Sequence, residues 1–81
     1  MLQSDFEKFA ASNSIGSVVF FAVDDVWQVF AYGHADHDVL AGFTNLLQVV
    51  KGKSAKTYTS LDRAYAAVRT MGYRGQIVID S

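Results

Sequence analysis

Residues 15–33, IGSVVFFAVDDVWQVFAYG, constrain the fold more than any other part of the chain. After Gly16 the segment SVVFFAV is β-branched and aromatic and, beyond Ser17, apolar on both faces, so it predicts a central strand covered above and below. Asp24 and Asp25 form a two-residue acidic turn, and VWQVFAYG follows as a second strand, giving an antiparallel hairpin. Along that second strand Trp27, Val29 and Ala31 point one way, while Val26, Gln28, Phe30 and Tyr32 point the other. Both faces are therefore apolar and both need cover. A chain of 81 residues buries only about 60–65% of its unfolded surface. A remainder containing Trp27 or Tyr32 is then expected to serve as an interface, with Tyr58 a third aromatic candidate and a homodimer the simplest outcome.

The flanking segments supply the cover. In QSDFEKFAAS, Ser4 and Glu7 have capping-box spacing, and Leu2, Phe6, Phe9 and Ala10 share one side of a short helix ending near Asn13. HADHDVLAGFTNLLQVVKG places Val39, Leu40, Phe43, Leu46, Leu47 and Val50 at helical spacing, which predicts a central amphipathic helix capped by Asp36 or Asp38 and ended by Gly52. AKTYTS predicts a short polar strand near an edge. Ser60 caps LDRAYAAVRTM, whose stripe is Leu61, Tyr65, Val68 and Met71, with Gly72 as the stop. RGQIVID closes the chain as a strand. The expected architecture is α+β (mixed α/β) in one domain, residues 1–81, in the order α-β-β-α-β-α-β, with one mixed sheet and helices packed on it.

Composition narrows the function classes. Absent cysteine excludes disulfide stapling, thiol catalysis and cysteine metal sites, and is compatible with a reducing cytoplasm. The first residues lack the basic start and unbroken apolar run of a signal peptide, and the longest apolar run, Val18–Val23, is too short to span a bilayer. The net charge of −1 conceals a division. Residues 1–50 hold one base, Lys8, against six acids, a net of −5, whereas residues 51–81 hold six bases against Asp62 and Asp80, a net of +4. Lys51, Lys53, Lys56, Arg63, Arg69 and Arg74 are therefore the candidate anionic-partner surface, with Tyr58 or Tyr73 able to stack on bases. The same charges also suit plain solvation, and the sequence pI near 6.0 is low for a dedicated nucleic-acid binder.

One cluster invites metal chemistry: in HADHD, His34, His37 and Asp38 are donor types for zinc, nickel or manganese. The spacing lacks the two-histidine, four-apart pattern of metalloproteases, and acids at a helix start are favoured by the helix dipole alone, so capping is the preferred reading. The glycines are scattered as punctuation, without a phosphate-cradling spacing, and no nucleophile stands beside a base. No catalytic residue and no cofactor is expected.

KTYTSLDRAYAAVRTMGYRGQIVID resembles short uncharacterised proteins carried on bacterial mobile elements. The resemblance carries no functional motif and assigns no site. The leading expectation is a non-enzymatic, cytoplasmic module that binds a protein partner and self-associates. The alternative is a nucleic-acid-binding accessory or regulatory protein of a mobile element using residues 51–74. A weaker alternative is a metal-binding protein or small hydrolase at residues 34–38. No membrane association is expected.

Overall fold

The hairpin organises the molecule. In the computed structural model, which describes residues 1–80, β1 (Ile15–Val23) pairs antiparallel with β2 (Val26–Gly33) from Ile15↔Gly33 to Val23↔Val26. Asp24 (φ 49°) and Asp25 (φ 66°) both adopt the left-handed conformation that matches a two-residue turn to the strand twist. At the other end the register shifts by one residue at Gly16. A Cβ there would lie 2.6 Å from the Gly33 carbonyl oxygen, so only glycine lets the two backbones approach this closely.

Two further strands complete a mixed sheet in the order β3-β2-β1-β4. β4 (Ile77–Asp80) runs parallel to β1, and β3 (Thr57–Tyr58) adds a short antiparallel edge to β2. The two helices are α1 (Gln3–Ala11) and α2 (Leu61–Thr70). Both end in the same way. Asn13 (φ 57°) and Gly72 (φ 103°) turn left-handed, while Ser14 N–H donates to the Phe9 carbonyl and Tyr73 N–H to the Val68 carbonyl. Ser60 caps α2, its hydroxyl accepting from the Arg63 N–H at 3.2 Å. The start of α1 differs from expectation. The helix begins at Gln3 behind Leu2, with no side-chain cap, because Leu2 is held extended by pairing with Gln48, and Ser4 and Glu7 fall inside the helix.

The larger correction concerns residues 34–56, where the expected central helix does not form. The Ala31 N–H donates to the Asn45 carbonyl (2.9 Å), the Leu47 N–H donates to the Val29 carbonyl (2.8 Å), and the Asn45 amide donates to the Ala31 carbonyl (2.8 Å). The chain then turns at Gly52 and Lys53 and returns so that the Lys56 N–H reaches the Leu47 carbonyl (2.9 Å). The physical reason lies in β2. β3 is two residues long and leaves Val29–Ala31 without a partner on that side, and an extended segment satisfies those groups where a helix could not. Gly42, Asn45 and the adjacent Val49–Val50 also make this a poor helix. Of the helical-spaced apolar set only Leu40 and Leu47 are buried. The element order is thus α-β-β-β-α-β, and the α+β class stands.

The core lies on one side of the sheet. Val18, Phe20, Val29 and Ala31 meet Phe6 and Phe9 of α1 and Ala64 and Val68 of α2, all of them buried. The expectation that the central strand is covered on both faces is therefore corrected. With the third helix absent, no helix or strand among the described residues forms a layer across the opposite face.

Candidate functional site

Two surfaces follow from this layout. The first is the uncovered sheet face. Strand alternation and register put Val19 and Phe21 of β1, Phe30 and Tyr32 of β2, and Val78 of β4 on the side away from the helices. Phe21 and Tyr32 are each 41% exposed and Val78 is 43% exposed. Phe21 and Phe30 meet edge to face, with ring centroids 6.2 Å apart. The charged member of this face, Asp80, and the polar Ser17 and Thr57 stand towards its ends or edges, while Gln28, paired with Phe21, is an uncharged polar residue among the apolar ones. β4 is also a sheet edge, and its Ile79 remains 53% exposed although it points to the helix side.

Of the three aromatic candidates, Tyr32 lies on this open face. Trp27 and Tyr58 face one another across β2 and β3 on the helix side, partly buried against the core. Burial raises the Tyr58 phenol pKa above its ordinary value of 10.0.

The second surface is a cleft of about 600 Å³ between β3 and α2. Lys56, just before β3, and Arg63, in the first turn of α2, both line it. The Lys56 ammonium sits 5.6 Å from the Tyr58 ring centroid. Along α2, Arg63, Ala66, Ala67 and Thr70 recur at three- and four-residue spacing, so one helix face forms a wall that is small beyond the guanidinium. Thr57 and Thr59 line it from the strand side, and no acidic side chain lines the cleft among the described residues.

The six basic residues do not form one surface. Lys51 and Lys53 occupy the exposed tip of the 49–54 turn. Arg69 is committed internally: its guanidinium donates to the Tyr73 carbonyl (3.0 Å) and the Gly75 carbonyl (3.2 Å) and lies over the rings of Tyr65 and Tyr73. The Tyr65–Arg69 spacing of four was a readable signal for that contact. Arg74 lines a separate hollow with Asn13 and Ile15 at the far end of α2. Lys56 and Arg63 are thus the pair that the fold brings into one cleft.

HADHD has a different structure from the expected helix cap. The Asp38 carboxylate accepts from the Leu40 N–H (2.9 Å), which fixes a turn, and His34 Nε2 donates to the Asn13 carbonyl (2.9 Å). No group of three or more His, Cys, Asp or Glu side chains able to hold a metal occurs among the described residues. No helix among them is long and apolar enough to cross a membrane. Neither the family models, nor the curated proteins, nor the solved structures contain a match to this chain.

Proposed function

We propose that the protein is a non-enzymatic interaction module that works as a homodimer, two copies packing through the open faces of their sheets. The observation that supports this reading is the bare apolar face of Val19, Phe21, Phe30, Tyr32 and Val78 in a sheet otherwise covered on one side alone. Exposed apolar faces of this kind mark association surfaces.

A second copy suits the face in charge, and the area of the face sets how tightly it pairs. With strands about 4.8 Å apart and about 3.4 Å per residue, strands of nine, eight, two and four residues present about 375 Å² of face, or about 750 Å² for two copies. That is below the size of a stable specific interface, so the association expected is weak and transient, with dimer populated at high micromolar concentration and above. Two such sheets stacked about 10 Å apart form a sandwich with a two-fold axis between them. Because the centre of the face carries no charge, this symmetric pairing opposes no like charges. Lack of cysteine fits work in a reducing cytoplasm, and the resemblance of residues 56–80 suggests a mobile-element setting.

Sedimentation velocity over a wide concentration range tests the proposal. The wild type should pass from monomer to dimer, and Phe21→Asp should remain monomeric with an unchanged circular dichroism spectrum. A wild type that stays monomeric throughout, or a Phe21→Asp dimer as tight as wild type, refutes self-association through this face.

A further inference from the structure

We infer that the cleft between β3 and α2 binds a nucleotide: a phosphate-bearing planar base, either free or as one unit of a single strand. The inference is independent of the open sheet face, which lies on the other side of the sheet from Tyr58 and α2.

Three features specify this ligand class. The cleft is lined by two cations, Lys56 and Arg63, with Thr59 between their elements and no acid in its lining among the described residues. A phosphate supplies the negative charge that balances such a pair and accepts hydrogen bonds from ammonium, guanidinium and hydroxyl alike. The rest of the lining includes small and apolar side chains: Ala66 and Ala67 let a flat ring approach the helix, and Met71 adds apolar surface. The Tyr58 ring, partly buried and already beneath the Lys56 ammonium, offers an aromatic surface for stacking. A volume of about 600 Å³ lies within the usual range for small-molecule sites and accommodates a single nucleotide.

Amide chemical-shift titrations of the full chain provide the test, with adenosine 5′-monophosphate, a single-stranded oligothymidylate and inorganic phosphate as separate probes. Adenosine monophosphate should give saturable shifts at Thr57–Thr59, Arg63, Ala66 and Thr70. K56E/R63E should weaken binding by about tenfold or more while preserving the helical spectrum. K51E/K53E, which reverses the same number of charges at the loop tip, should leave the affinity within about twofold if the cleft rather than general charge governs binding. Tighter oligothymidylate binding through the same residues, with a steeper salt dependence, would assign the site to nucleic acid, whereas equal binding would assign it to the free nucleotide; both support the inference. Absence of saturable shifts with both nucleotide probes overturns it. So does equal weakening by the two double variants, or inorganic phosphate binding as tightly as the nucleotide, since no base would then be recognised.

Discussion

Phe20 and Phe21 are adjacent, identical in chemistry and opposite in environment, so truncating each in turn tests which face of the sheet is the core. Phe20 is fully buried among the helices, whereas Phe21 is 41% exposed on the open face. Phe20→Ala removes a core ring and leaves a cavity, at a cost of about 3–5 kcal/mol. Phe21→Ala gives up the burial of about three-fifths of a ring. From about 1.5–3 kcal/mol for complete burial, the loss is about 1–2 kcal/mol, with no cavity because the site opens to solvent. The total stability expected of 81 residues is about 4–12 kcal/mol, so the first change approaches unfolding while the second is tolerated. Urea unfolding followed by the fluorescence of Trp27, the single tryptophan, reads both variants on one scale. Measurements belong at a dilution where the wild type is monomeric, so that burial between copies does not add to the Phe21 value. Equal losses, or a larger loss at Phe21, would mean that the strand is inverted by one residue and that the open face is misassigned.

Two further outcomes follow from local geometry. Ser60→Ala removes the hydroxyl that accepts from the Arg63 N–H and should lower stability by about 1 kcal/mol, with Ser60→Gly costing less; urea midpoints at unchanged slope check this, and no loss would refute the cap. Burial raises the phenol pKa of Tyr58 and of Tyr73, with Arg69 partly opposing the rise at Tyr73. Because the folded pKa lies above the unfolded value of 10.0, this contribution to stability is complete below that pH and is lost as pH rises through the folded pKa. Tyrosinate absorbance should therefore show a late-titrating component that shrinks in Tyr58→Phe and in Tyr73→Phe, and the absence of any late component would refute it.

Local chemistry made much of the fold legible. The Asp24–Asp25 turn, the hairpin, the Asn13 and Gly72 helix stops and the Ser60 cap depend on residues close in sequence, and each takes its expected place. The Ser4–Glu7 capping box failed because its competitor was distant: pairing of Leu2 with Gln48 starts α1 earlier. Residues 39–50 failed for a related reason. Their helical apolar spacing is real, but Leu40 and Leu47 are the members that reach the core, and the backbone groups of Val29 and Ala31 require an extended partner. No property of residues 39–50 alone reports the shortness of β3.

That one competition shapes both candidate surfaces. An additional helix packed across the sheet would have covered Phe21, Phe30 and Tyr32; with residues 45–48 extended along β2 instead, the described residues provide no such layer. The same extended segment places Lys56 by the bond from its N–H to the Leu47 carbonyl, directly before β3 and opposite Arg63 across the cleft. In the sequence Lys56 is one of three loop lysines with nothing to distinguish it from Lys51 and Lys53. Its position in the cleft, and theirs at an exposed tip, are set by a backbone hydrogen bond to a residue nine positions earlier. Charge counting could therefore identify the basic segment but not divide it, because the division is made by strand pairing rather than by the side chains that carry the charge.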